Sequence, residues 1–465
     1  MAYSTTGKFD TTYRWLSSRV TAYRNHHVKH MTNYFDAYNW DTMLSQHPAS
    51  QYDISEYFEI LCSRSDYPSF LDRYIQLPVM QRLAGVGLLC GTDWTPLYRN
   101  RFYYSRLDHS KGVALIVWHF SHNKAQTIAG LLHDISTPVF SHVSDFRKGD
   151  ALTQTATEEP TARIIRGDAE LSRLLAEDGL SAEEVEDYHI YPIADNEIPQ
   201  LSADRLEYMF PSGMALDGSW TMEEIRRCYN DLVILKNEYG ADELGFRTLE
   251  VAELYCEHFC MIGHILQLNE NKLTLHMLGQ IMNMAEKAGV VSESDFMTLS
   301  EKEVMEKLNR HAELVSASIT SSEQRFRNKF EMTTSNDVEC HCEAEPKQST
   351  SKDILSRYYK TFRTMTKIEH TNEALPENEY FCVNLKVKQR YINPLVVVEC
   401  PRSGCIETTV NHETTKSSTV VSIRPSDYST TAKAMRLSEV SEKARRIIED
   451  FKTFSDTPYG CVKLI

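Results

Sequence analysis

Apolar side chains recur at three- and four-residue spacing through most of the middle of the chain. Val113, Ile116, Val117 and Phe120 fall on one helical face, and Ile128, Leu131 and Leu132 continue the pattern in the next segment. Glu250–Leu266 and Lys272–Ala288 read as further amphipathic helices with few strand signals. From Pro78 to about Leu308 this periodicity predicts a largely helical core. Residues 1–75 also read as helical and are rich in aromatics, with Tyr34, Phe35, Tyr38 and Trp40 close together. They are expected to pack on that core.

The pattern then changes. From Arg310 to Lys352 the chain is rich in Ser, Thr, Glu and Asn and shows no sustained apolar period. Its phrases HAELVSAS and CHCEAEPKQS resemble peptides encoded by mobile palindromic repeats that enter bacterial genes in frame. That resemblance implies a disordered insertion at 309–352, tolerated because closing a longer loop costs little. Helical spacing returns at Asp353–Thr366. An alternating run then starts at Tyr380, a second strand is expected at Ile392–Val398 and a third at Thr419–Ile423. Between Cys400 and Thr419 a polar stretch reads as another loop elaboration. A capped helix is expected over Ser438–Phe451, with Val440, Ala444, Ile447, Ile448 and Phe451 on one face. The predicted fold class is therefore mainly α, a helical core over 76–308 with a smaller α+β C-terminal domain over 353–465.

Composition narrows the chemistry. The 465 residues carry 65 acidic and 50 basic side chains, a formal charge of −15. Such a field repels a phosphate backbone, so nucleic acid is an improbable partner, while a metal and a few arginines can still reverse it locally for a small anion. No run of eighteen apolar residues occurs, so no membrane span is expected. The N-terminus lacks an apolar signal-peptide core, and the eleven cysteines show no regular spacing. Reduced thiols in a cytoplasmic protein are the simplest expectation.

The informative stretch is Ser105–Phe146, SRLDHSKGVALIVWHFSHNKAQTIAGLLHDISTPVFSHVSDF. His109 opens one helical segment and His133-Asp134 closes the next. Adjacent residues on a helix point about 100° apart, so both reach one ion only near a helix end. Pro138 is expected to supply that end. Asp204, in LSADRLEYMF, offers a further oxygen. Two imidazoles and two carboxylates suit a divalent ion such as Mn, Fe, Ni, Zn or Mg. Such an ion acidifies water and neutralises phosphoryl charge.

The ordered set H…HD…D, with SRLDHSKGV before it and HDISTPVFSH at its centre, resembles the HD superfamily of phosphohydrolases. More narrowly it is similar to the branch containing deoxynucleoside triphosphate triphosphohydrolases, over roughly residues 78–300, and LKVKQRYINPL and RLSEVSEKA resemble bacterial members. The resemblance implies a metal held by His109, His133, Asp134 and Asp204, and hydrolysis of a nucleotide or related phosphoester by a metal-activated water. It implies that Arg106 and Arg205 grip phosphate, that Tyr208 meets the sugar, and that His142 and Asp145 line the pocket beside the phosphates. Asp145 or Glu158 would position the water. Relatives assemble into oligomers, so a homo-oligomer is implied too.

Departures from the pattern stand beside these matches. Thr137 and Thr157 replace histidines of the triphosphohydrolases, Ser136 replaces a glycine, and Leu88 stands where a glutamine helps select deoxyribose. A dNTP substrate is therefore open. So is a second reading, a catalytically impaired nucleotide sensor or assembly module that keeps the metal fold. Tyr208 also reads as a core aromatic, and His142 and Asp145 as caps of the turn after Phe140. Cys256 and Cys260, with His258 and His264, have the look of a metal cluster but lie in a helix of core-like residues, where buried thiols are common.

Overall fold

The computed structural model describes residues 54–98, 100–152, 159–216, 218–331, 351–399 and 432–465. The helices that matter for the site are α1 (Ile54–Leu61), α2 (Arg106–Ser121), α3 (Lys124–Leu132), α4 (Val143–Lys148), α5 (Glu159–Gly167), α6 (Ala169–Glu177), α7 (Ala203–Leu216) and α8 (Met222–Asp231). A hairpin follows, β1 (Leu232–Lys236) and β2 (Asp242–Phe246), then the long helices α9 (Leu249–Gln267), α10 (Asn269–Lys287), α11 (Glu301–Glu331) and α12 (Ser351–Thr364). The chain ends with β3 (Glu369–Thr371), β4 (Tyr380–Val383), β5 (Leu395–Glu399), β6 (Ala432–Arg436), α13 (Glu442–Thr453) and β7 (Tyr459–Lys463). Shorter helical turns join these elements. The architecture is mainly α with a smaller α+β part, as the periodicity predicts. Among the described residues no helix is long and apolar enough to cross a membrane.

Helix α2 is the axis of the core. Val113 to Val117 are all buried, so this stretch is enclosed on every side rather than along one stripe. Its first turn is fixed by a capping box, in which Ser105 Oγ accepts from the Asp108 amide and the Asp108 carboxylate accepts from the Ser105 amide. Gly130 of α3 faces Val113 and Val117 of α2, each about a van der Waals contact from where its Cβ would stand. The two helices therefore lie close, which fixes where α3 ends.

The strands form two sheets, one in the order β1-β2-β5-β6 and one in the order β3-β7-β4. The first joins the hairpin inside the helical part to strands of the C-terminal part, with Gly245 and Phe246 of β2 parallel to Leu395 and Val396 of β5. The expected strand at Tyr380 stops at Val383, and Ser441 rather than Ser438 caps the last helix, because a separate turn of helix at Leu437–Val440 precedes it. Thr419–Ile423 lies outside the described residues.

Two sequence expectations change here. Residues 310–331 were expected to begin a disordered insertion, yet α11 continues through them to Glu331. The reason is visible in its buried face: Val304, Met305 and Leu308 are followed at helical spacing by Ala312 and Val315, also buried. Tyr359 of α12 donates to the Met305 carbonyl at 3.3 Å. Residues 332–350 lie outside the described residues. The expectation of reduced thiols also fails at one place. Cys382 and Cys461 are directly opposed on β4 and β7 with Cα atoms 4.1 Å apart, and they form a disulfide. Register alone brings them together. Cys62, Cys90, Cys228, Cys256 and Cys260 are free thiols.

A buried ion pair locks the first sheet. Arg436 of β6 donates to both carboxylate oxygens of the fully buried Glu243 on β2, at 2.6 and 2.9 Å, and to Glu238 at 2.6 Å. Removing one member of such a pair leaves the other charge without compensation in the interior. Arg436→Ala is expected to cost about 3–5 kcal/mol, read from the urea unfolding midpoint, with Glu243→Gln in the same chain recovering part of the loss.

Candidate metal centre

His109 stands on the first turn of α2, three residues after Arg106, so both project from one face. Its Nδ1 donates to Glu207 Oε2 at 2.5 Å. Glu207 is fully buried, and its other oxygen accepts the hydroxyls of Tyr57 (3.0 Å) and Tyr104 (2.6 Å). Helix α7 can bring that carboxylate so close only because residue 112 is glycine: a Cβ there would stand 2.4 Å from Glu207 Oε1. With Nδ1 occupied as donor, Nε2 is the nitrogen that faces inward.

His133 caps the C-terminal end of α3, and its Nδ1 donates to the Gly130 carbonyl at 2.8 Å. The helix ends at Leu132, well before Pro138, which was the expected breaker. Tight turns follow, from Ile135 N–H to Leu132 O and from Thr137 N–H to Asp134 O. Arg82 donates to the carbonyls of Ile135 and Thr137 and pins these turns from outside. Phe140 and Ser141 take φ values of 61° and 51°, the left-handed region that non-glycine residues seldom enter. Cys90 (φ 55°) and Gly91 (φ 76°) do the same across the site. Strain of this kind gathers at functional sites.

The donors converge. His109 Nε2 and His133 Nε2 are 3.2 Å apart. Asp204 Oδ1 lies 3.0 Å from the first and 3.8 Å from the second. Asp134 Oδ2 lies 3.8 and 3.5 Å from the same two atoms. Ligands bound at about 2.0–2.2 Å to one ion are separated by roughly 3.0–3.5 Å from their neighbours, so this spacing fits a single divalent ion. Two imidazole lone pairs also cannot face each other at this distance without a cation or a shared proton between them. His109, His133 and Asp204 form the candidate group, and Asp134 Oδ2 adjoins its two histidines from one side. The donor set, two nitrogens and two carboxylate oxygens, suits the borderline first-row metals.

Electrostatics agrees with the geometry. Burial disfavours a charged His109, but Glu207 and Asp204 outweigh it and push the ring up to about 10, so without metal its Nε2 holds a proton that a binding ion displaces. Burial would raise the Asp134 carboxyl, yet Arg106 and the two histidines hold it well below the usual carboxylate range. His109 and His133 do the same for Asp204 against its own burial. Both carboxylates are thus anionic at neutral pH. They are ready to meet a cation.

The site floors a cavity of about 810 Å³. Arg106, Arg205, Tyr208 and His142 all line it, and the two arginines also hold neighbouring groups. Arg106 donates to Asp134 Oδ2 at 2.8 Å and to Ser141 Oγ at 3.0 Å, so it orients a candidate ligand. Arg205 donates to Asp195 at 3.0 Å, to the Asn196 amide oxygen at 2.7 Å and to the Gln200 carbonyl at 2.9 Å, so it braces the 195–200 loop at the cavity wall. Asp145 is fully buried and does not line the cavity. Its carboxylate accepts from His142 Nδ1 at 3.0 Å and fixes that ring, whose Nε2 faces the cavity side. Glu158 and Thr157 lie outside the described residues. Leu88 makes an apolar wall.

Thr137 donates to Asp134 Oδ1 at 2.7 Å. Asp134 is therefore held through both oxygens, by Thr137 and by Arg106. Partners of this kind typically set 10–100-fold of metal affinity. Thr137→Val, which keeps the shape and loses the donor, is expected to weaken metal binding about tenfold in competition with a chromogenic chelator.

Sequence reasoning missed several residues. Glu207 carries a local signal, three places after Asp204 on one helix, but its tyrosine partners are 150 and 103 residues away. Tyr188, whose ring centroid is 5.0 Å from that of His133, and Asp195 had none. Arg390 comes from the C-terminal part. The cysteine pair at 256 and 260 gathers no metal group among the described residues: His264 Nδ1 donates to the Cys260 carbonyl, and His258 packs on Trp220.

No protein-family model matches the chain. It is 28% identical over 158 residues to a protein named metal-dependent phosphohydrolase cns2 from Cordyceps militaris, over 34% of this chain and 44% of that relative. It is 25% identical over 206 residues to the uncharacterized protein YdhJ of Bacillus subtilis, over 43% of this chain and 61% of the relative. The chain thus spans about half the length of the curated relatives it matches. The first relative's name and the buried His/Asp group together fit a metal-dependent phosphohydrolase.

Proposed function

We propose that this chain is a metal-dependent phosphohydrolase of the HD type acting on a nucleotide or a related small phosphoester. The observation that carries the reading is the convergence of His109, His133, Asp204 and Asp134 at the floor of a cavity that arginines also line. A divalent ion held by these four side chains would lower the pKa of water and neutralise phosphoryl charge. Around it the chain's own groups have separate tasks. Glu207 and the Gly130 carbonyl turn both imidazoles so that their Nε2 atoms would be the ones to hold it. Arg106 and Thr137 hold Asp134. Asp145 keeps His142 as its Nδ1–H tautomer, which leaves Nε2 able to take a proton at the cavity wall.

The walls favour a ring-bearing substrate of modest charge. Tyr98, Tyr188 and Tyr208 line the cavity with Leu88, Leu216 and Leu275 and offer flat apolar surface. Glu186, Asp187 and Glu197 line it too and weigh against a long polyphosphate tail. Purified protein should be analysed for bound metal and then offered dNTPs, NTPs, nucleoside monophosphates and generic phosphoesters, with Asp134→Ala as control. Turnover that vanishes in the variant is expected. Metal and nucleotide binding without turnover on any member of the panel would sink the hydrolase reading in favour of a nucleotide sensor.

A further inference from the structure

The segment between β4 and β5, residues 384–394, crosses the cavity that the helical part builds. It is tied at both ends of the crossing: Lys388 N–H donates to the Ala151 carbonyl at 3.3 Å, and Asn393 N–H to the Pro199 carbonyl at 2.8 Å. Beneath it, α9 carries Gly263. A Cβ there would stand 3.0 Å from the Arg390 carbonyl oxygen and 2.8 Å from the Phe451 ring, so a glycine lets the segment lie against the helix. The close approach brings the Arg390 side chain into the cavity lining.

There its Nη2 is 3.4 Å from His142 Nε2. Because Asp145 holds the proton on Nδ1, Nε2 is the accepting nitrogen, and a guanidinium N–H is the matching donor. Burial pushes the Tyr208 phenol up, and the charge of Arg390 partly offsets it, which places the guanidinium near that hydroxyl as well.

We infer that Arg390 binds the substrate's phosphate, so the C-terminal part supplies a functional side chain to the site. The inference rests on the phosphohydrolase reading for its substrate. A guanidinium presents donors in a planar fork that matches two phosphate oxygens, and its place beside His142 and Tyr208 sets it on the wall shared by the proposed proton acceptor and the sugar-facing ring.

The test uses the full-length, metal-loaded chain with Arg390→Ala and Arg390→Lys. Charge-assisted hydrogen bonds of this kind are worth about 10- to 100-fold. Arg390→Ala is expected to raise KM for a phosphoester by that factor, with kcat changed much less and metal content unaltered. Calorimetric affinity for inorganic phosphate should fall by the same factor. Arg390→Lys, which keeps the charge without the fork, should recover part of it and also serves if the alanine variant does not fold. KM and phosphate affinity within about twofold of the parent would overturn the inference, as would a loss confined to kcat. If the parent hydrolyses nothing on the panel, the hydrolase reading fails. Phosphate calorimetry on parent and variant still decides the role of Arg390, and a parent that binds no phosphate overturns it.

Discussion

Asp204→Ala is expected to empty the centre of metal and to lower phosphoester turnover by about 10³-fold. The side chain contributes the oxygen nearest to His109 Nε2, at 3.0 Å, and reaches His133 Nε2 at 3.8 Å. Without it two imidazoles and Asp134 remain, and Asp134 already shares its Oδ2 with Arg106. Three ligands, one of them drawn toward a guanidinium, hold a labile ion poorly. The electrostatic stabilisation that a divalent ion gives a phosphoryl transition state is several kcal/mol, and each 1.36 kcal/mol is a factor of ten in rate. The fold should survive, because Asp204 stands at the cavity surface rather than in the packed interior. Elemental analysis and phosphate release on the same preparation check the result together. Parent-level metal with parent-level turnover would remove Asp204 from the centre.

A subtler change one turn further along α7 should weaken metal binding without disturbing the fold. In Glu207→Gln the amide carbonyl must take the place of Oε1, because both Tyr57 and Tyr104 donate there. The NH₂ group then faces His109 Nδ1, which is itself a donor. Two donors cannot share that contact, so the ring proton moves to Nε2 and the inward lone pair is lost. Metal affinity is expected to fall about 10–100-fold, the range for groups that fix the orientation of a ligand. Global stability should change little, because volume and the tyrosine bonds are kept. Glu207→Ala differs: it leaves both buried hydroxyls without an acceptor and costs about 2–6 kcal/mol of folding as well. Chelator competition reads the affinity, and nitrogen-15 shifts of His109 read the tautomer. Undiminished affinity with Nδ1 still protonated would show that Glu207 does not set the ring.

How much of this could be read in the chain depends on the range of the interaction. The helical core and the four ligand candidates lie in short segments whose spacing carries the information: Ser105 to His109 within one turn, His133-Asp134 at one helix end, Asp204 to Tyr208 within another. What organises those ligands is non-local. Glu207 is meaningful only once Tyr57 and Tyr104 are folded onto it, and the carboxylates beside Arg106 and Arg205, Asp134 and Asp195, are set by the fold rather than by adjacent sequence. The β1–β2 hairpin went unread because its strands are short and one of them pairs with Leu395 and Val396, some 150 residues later. The Cys382–Cys461 bond spans 79 residues and follows from strand register, which no cysteine spacing reports. The helical course of residues 310–317 was legible in Ala312 and Val315, but the polar residues around them masked it.

The claim that His109, His133, Asp134 and Asp204 make one metal centre is tested most directly by diffraction from crystals grown with Mn(II), collected to record its anomalous signal. One strong peak per chain is expected at the cavity floor, within about 2.0–2.3 Å of both histidine Nε2 atoms and a carboxylate oxygen of Asp204, with Asp134 adjoining. An anomalous map with manganese elsewhere on the chain and none between the two histidines would contradict it.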